Sequence, residues 1–196
     1  MNLGVFGGTF NPPHHGHLLA AEFVRERLSL DRVFFVPTAA PPHKRDLALP
    51  EARHRMEMLR LAVRENPFFS VSEVELARGG VSYTVDTLRQ FRGLHPSADL
   101  LFLLGSDGYA EFHTWREPEG ILELARVVVM ARPGYALPPG ASRDRRVELV
   151  EVPQIAIESR LIRRRVREGR SIRYMLPPAV ETYIRRNGLY RGEGTA

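Results

Sequence analysis

Short runs that are apolar at nearly every position recur along this chain, and stretches with helical periodicity stand between them. A strand apolar on both faces has no side to give to water, so it belongs inside a parallel sheet covered by helices on both faces. The first unit shows the pattern: Leu3 to Phe6 is an apolar run ended by Gly7 and Gly8. From Gly16 to Leu28 the residues Leu18, Leu19, Phe23, Val24 and Leu28 then return at helical spacing. Val33 to Val36, Phe68 to Val71, Leu100 to Leu104, Arg126 to Ala131 and Val147 to Val152 read as further strands. Glu51 to Arg64, Thr84 to Leu94, Ile121 to Leu124, Ile162 to Glu168 and Pro178 to Arg186 read as helices, with Thr84 as the cap of its own. The expected architecture is one α/β domain over residues 1–191, a Rossmann-like parallel sheet with helices on both faces. A disordered tail, Gly192 to Ala196, is expected after it. Such sheets bind ligands beyond the carboxyl ends of their strands, which points to the loops after Phe6, Val36, Leu104 and Ala131.

At 196 residues the chain is long enough to bury a core without staples, and it has no cysteine. That excludes a disulfide framework, a cysteine zinc site, an iron–sulfur cluster and a thiol nucleophile. No run approaches the roughly 18 apolar residues of a membrane span, and no basic leader opens the chain, so a soluble, cytoplasmic protein is expected. The net charge is +5, and Lys44 is the only lysine beside 27 arginines. A compact, flexible ammonium in the proline-rich loop at a strand end is suited to reach phosphate, which a planar guanidinium fork does differently.

Gly7-Gly8-Thr9-Phe10-Asn11-Pro12-Pro13-His14-His15-Gly16-His17 joins the first strand to the first helix. Glycines let backbone amides approach an anion, and the helix that follows presents free amides and a positive dipole end. The loop is a phosphate cradle by position, although it has neither the GxGxxG nor the GKS/GKT pattern. In their place stand His14 and His17, one helical turn apart, with Gly16 leaving room between them. Three histidines in four positions also fit a metal site, but no local carboxylate completes one, and His15 reads as a bystander.

The HxGH segment is similar to the signature of the nucleotidyltransferase superfamily. Further segments follow in order: Pro41-Pro42-His43-Lys44, Ser82-Tyr83-Thr84-Val85-Asp86-Thr87-Leu88, Gly105-Ser106-Asp107, Trp115, Ala131-Arg132-Pro133-Gly134 and Ser171-Ile172-Arg173-Tyr174. Together they resemble the bacterial nicotinate-nucleotide adenylyltransferases over nearly the whole chain. The resemblance implies transfer of AMP from ATP to nicotinate mononucleotide, giving deamido-NAD and pyrophosphate, with Mg2+ accompanying ATP. It implies catalytic roles for His14, His17, Lys44 and Arg163. The ATP site would comprise Gly7, Gly8, Thr9, Phe10, His14, His17, Gly105, Asp107, Ser159 and Arg163. The nicotinate nucleotide would be held by Lys44, the backbone at Tyr83 and Thr84, stacking on Trp115, and Arg132.

The family's second phosphate motif, usually ISSTxIR, is here Ile157-Glu158-Ser159-Arg160-Leu161-Ile162-Arg163, with a carboxylate and a guanidinium in place of two hydroxyls. Glu158 stands close to phosphate in this reading, which calls for pairing with Arg160 or for an intervening metal. An adenylyltransferase for phosphopantetheine or nicotinamide mononucleotide is the nearest rival among enzymes. Outside enzymes the rival is a nucleic-acid module, since Arg143 to Arg191 holds 13 arginines and 6 acidic residues. Successive arginines on a helix point in different directions, and no nucleic-acid motif accompanies them, so no nucleic-acid partner is expected.

Overall fold

The computed structural model describes residues 1–40, 50–131, 135–136, 144–153 and 155–192. Lys44 and Arg132 lie outside the described residues, as does the tail from 193 onward. The described strands are β1 (Asn2–Gly8), β2 (Arg32–Pro37), β3 (Phe69–Val71), β4 (Asp99–Gly105), β5 (Arg126–Ala131) and β6 (Val147–Glu151). All pair in parallel in the order β3-β2-β1-β4-β5-β6. The chain therefore leaves β1 in one direction to build β2 and β3, then returns to β1's other edge with β4. That reversal opens a crevice at the carboxyl ends of β1 and β4.

Eight α-helices are described: α1 (His15–Arg27), α2 (Ala52–Val63), α3 (Val74–Arg78), α4 (Thr84–Leu94), α5 (Ser106–Ala110), α6 (Pro118–Leu124), α7 (Ser159–Arg167) and α8 (Pro178–Arg186). One face of the sheet, with Val5, Phe102 and Val127, packs on Leu88 and Phe91 of α4 and Ile121 of α6. The other, with Val33, Phe35 and Leu103, packs on Ala21 and Val24 of α1 and Leu59 and Val63 of α2. A third cluster joins Met58 of α2 to Ile162 of α7 and Val180 and Ile184 of α8, seating the last two helices behind the first loop. None of the described helices is long and apolar enough to cross a membrane.

The expected strands and longer helices are present within a few residues. Two five-residue helices, α3 and α5, were not expected, because so short a segment shows no periodicity to read. Thr84 is corrected from cap to first helical residue: Tyr83 holds the extended cap position, and no side chain caps this helix.

Candidate active site

The turn out of β1 is shaped by close packing. A Cβ on Gly8 would meet the Phe10 ring at 3.0 Å, so a larger residue there would require that ring to give by a few tenths of an ångström. Phe10 itself holds a left-handed backbone, φ 44°, which an aromatic residue adopts only under external constraint. Its ring is wedged against Phe6, Phe35 and His17, with centroids 5.5, 5.7 and 5.2 Å away. Four other elements brace the loop that follows. The Arg55 guanidinium of α2 donates to the Thr9 carbonyl, 3.3 Å, and Ser159 Oγ donates to the Pro12 carbonyl, 2.8 Å. Arg163 donates to the Asn11 carbonyl, 2.8 Å, the Tyr190 hydroxyl to Asn11 Oδ1, 2.7 Å, and the His15 amide to the Met175 carbonyl, 3.1 Å.

His14 is the cap residue of α1 and His17 lies one turn on, their ring centroids 3.7 Å apart. A Cβ on Gly16 would come within 3.1 Å of the His14 ring, so the glycine does make room for the imidazole. His17 Nδ1 accepts the His14 amide at 3.2 Å. In a neutral ring that leaves the proton on Nε2, so His17 presents a hydrogen-bond donor. Both rings are held neutral. Burial, then the neighbouring His15, lowers His14 to about 4, and burial, then His14, lowers His17 to about 3. The first turn of α1 carries no acidic residue, so its amides face no built-in competitor for an anion.

The two histidines make stability fall in acid. Their folded-state pKa lies below the ordinary 6.5, so below that pH the unfolded chain takes up protons that the folded chain refuses. The contribution is intact above 6.5 and is lost as pH drops toward about 4 for His14 and about 3 for His17. The urea midpoint is expected to fall between pH 7 and 5, and to fall less in a His14→Gln/His17→Gln variant. Equal slopes in the two proteins would refute this.

A cavity of about 730 Å³ opens where the switch point predicts. It is lined by Gly7 through Phe10 and His17 on one side and by Tyr83, Thr84 and Trp115 on the other. Tyr83 and Thr84 begin α4, whose free amides therefore border the cavity. Trp115, the only tryptophan, is half-buried, with Phe102 edge-on at 6.1 Å and Phe112 tilted at 5.7 Å. Arg116 lies over the Tyr83 ring, 4.7 Å from its centroid, and pairs with Asp86 at 3.6 Å.

Other expected residues fall elsewhere. Gly105 and Asp107 are exposed at the end of β4, beside β1 but outside the cavity lining. Ser159 and Arg163 stand behind the first loop, bonded to its carbonyls. Glu158 pairs with Arg160 at 3.4 Å, both exposed, the first of the two pairings that the altered motif allows. Within the arginine run, Arg163 turns inward while Arg165 bonds the Ser171 carbonyl, so the run does not form one face. Among the described residues no three histidine, aspartate or glutamate side chains are grouped to hold a metal.

Two residues were missed by sequence reading. Glu75 of α3 lines the cavity at 6% exposure, its Oε1 accepting from Thr87 Oγ1 at 2.7 Å while Oε2 has no hydrogen-bond partner among the described residues. Arg55 is 2% exposed, and among the described residues its guanidinium bonds only to carbonyls. Both residue types are surface residues by default, and no local pattern marks them as buried.

A Rossmann-like sheet with a histidine-bearing anion loop at its switch point defines a nucleotide-handling enzyme of the HxGH type. A cytidylyltransferase-like family model matches residues 5–165. The chain is 52% identical to a probable nicotinate-nucleotide adenylyltransferase of Thermus thermophilus, over 97% of this chain and all of that one. It is 49% identical to the corresponding Thermomicrobium roseum protein, over 96% of this chain and 91% of that one. The solved Plasmodium falciparum nicotinic acid mononucleotide adenylyltransferase complexed with APC shares the fold, with TM-score 0.79 at 19% identity and 96% of each chain covered. The chain belongs to the cytidylyltransferase-like family and, within it, to the nicotinate-nucleotide adenylyltransferases.

Proposed function

We propose that the chain transfers AMP from ATP to nicotinate mononucleotide, using the first loop for the triphosphate and the α4–Trp115 side of the cavity for the pyridine nucleotide. The observation that carries this reading is the cavity itself, which sets an anion loop with His17 opposite a free helix N-terminus and an aromatic plate. A phosphate oxygen of nicotinate mononucleotide attacks the α-phosphorus of ATP. The bond from that phosphorus to the oxygen bridging to the β-phosphate breaks, and pyrophosphate leaves. Such a transfer needs alignment and neutralisation of developing charge more than covalent help.

His17 Nε2–H and the α1 amides are donors suited to phosphate oxygens, and His14 stacks beside them. Lys44 adds charge from the sequence that follows β2, Arg132 from the sequence that follows β5, and Asp107, with Gly105, meets the adenosine from the end of β4. Ser159 and Arg163 hold Asn11 and Pro12 in place and border the triphosphate from α7. The Tyr83 and Thr84 amides receive the pyridine carboxylate while its ring stacks on Trp115, which favours the acid over the amide. Mg2+ enters as part of the substrate, bound by phosphates and water, and neutralises phosphate charge. The donor set around the loop fits that division, being imidazole, amide, hydroxyl and guanidinium rather than a carboxylate cage.

Pyrophosphate release with ATP and Mg2+ tests the reading, run in parallel with nicotinate mononucleotide, nicotinamide mononucleotide and phosphopantetheine. Release strongly favouring the acid is expected. Preference for another acceptor would overturn the specificity, and no release with any would overturn the activity.

A further inference from the structure

The two halves of the cavity belong to different parts of the chain, and one continuous set of hydrogen bonds ties them together. Arg55 donates to Thr9 in the first loop and also to the carbonyls of Thr38, at 2.6 Å, and Ala39, at 3.5 Å, in the segment after β2. The Thr38 amide donates to the Gly8 carbonyl at 2.9 Å, so residues 38–40 are docked on the end of β1 as well. From that segment the Ala39 amide donates to Ser82 Oγ, 3.0 Å, and the Ser82 amide donates back to the Ala40 carbonyl, 3.0 Å. Ser82 is 7% exposed and directly precedes Tyr83 and Thr84. Within α4 the turn is closed by Thr87 Oγ1, 3.3 Å from the Tyr83 carbonyl and bonded to Glu75.

We propose that Ser82 is a positioning residue. Through residues 38–40 and Arg55 it sets the distance between the phosphate loop and the amides at the start of α4, and so between the two reacting phosphates. The inference rests on the substrates assigned above. In an in-line transfer each substrate can bind with its own contacts intact while the pair is misaligned, and a shift of about 1 Å can cost on the order of 100-fold in rate. Removing the Ser82 hydroxyl leaves the Tyr83 and Thr84 amides, Trp115 and the first loop chemically unchanged. What it removes is the acceptor for the Ala39 amide, the side-chain link between the halves.

The test separates alignment from binding. Ser82→Ala and Ser82→Thr are compared with the parent for kcat in pyrophosphate release, and for the Kd of ATP and of nicotinate mononucleotide measured separately. The nucleotide titration is read through the fluorescence of the single tryptophan, Trp115. Ser82→Ala is expected to lower kcat by about 10- to 100-fold with each Kd within about threefold, and Ser82→Thr, which keeps an acceptor oxygen, to restore most of the rate. The proposal is overturned by an unchanged kcat in Ser82→Ala, by a Kd that weakens in parallel with kcat, or by a threonine variant as slow as the alanine one. Absence of release by the parent protein would instead reject the substrate assignment, and the proposal with it.

Discussion

Replacing His17 with alanine is expected to lower kcat for AMP transfer by about 100- to 1000-fold, with little change in KM for either substrate and a native-like unfolding midpoint. The expectation follows from how the ring is held. Phe6 and Phe10 pack against it and His14 lies across its face, so its position is fixed before any ligand arrives. Accepting the His14 amide on Nδ1 fixes the tautomer, and burial keeps the ring neutral at physiological pH. The result is a single preset donor, Nε2–H, at the cavity edge. A donor of this kind contributes most where negative charge grows, as it does on the phosphoryl oxygens during transfer, which places its loss in kcat rather than in binding. The alanine variant leaves one amide without its acceptor, a cost of about 1 kcal/mol, so the fold survives. Steady-state kinetics with a thermal melt of the same preparation decide the matter. Turnover near that of the parent would remove His17 from the chemistry.

How much of this was readable in the residues depends on whether the signal is local. β5 and α8 begin and end where the apolar pattern and the flanking residues place them, and α4 ends there, since periodicity and punctuation act within a few residues. The first loop was readable for the same reason: glycine, histidine and a following helix are contiguous in sequence. Glu75 and Arg55 were not. Each sits on a helix where a charged residue reads as solvated, and each is buried only because a distant segment arrives: Thr87 for Glu75, and the ends of β1 and β2 for Arg55. Ser159 and Arg163 show the intermediate case. The family motif marked them as residues for the triphosphate, whereas their bonds to the Pro12 and Asn11 carbonyls depend on α7 packing behind that loop through Ile162.

Arg55→Met is expected to destabilise the fold by about 3 kcal/mol, a drop in melting temperature of roughly 6–12 °C for a chain of this size. Two effects oppose each other at this position. Burial of a guanidinium with no carboxylate bonded to it among the described residues is costly and already lowers its pKa, and methionine relieves that cost while keeping much of the volume. Against this, the part-buried Thr9, Thr38 and Ala39 carbonyls lose their shared donor, at a cost of about 1 kcal/mol each. The losses win because the bonds come from two strand ends that nothing else on α2 joins by a hydrogen bond among the described residues. Lysine keeps the charge but has no fork to span both strand ends, so Arg55→Lys is expected to recover less than half of the lost stability. Urea unfolding of the three proteins at pH 7 measures this directly, and a methionine variant as stable as the parent would show that the cost of the buried charge equals the value of its bonds. Because the same guanidinium fixes both Thr9 and the segment bonded to Ser82, its loss should depress turnover together with stability, in contrast to His17, where turnover falls far more than stability.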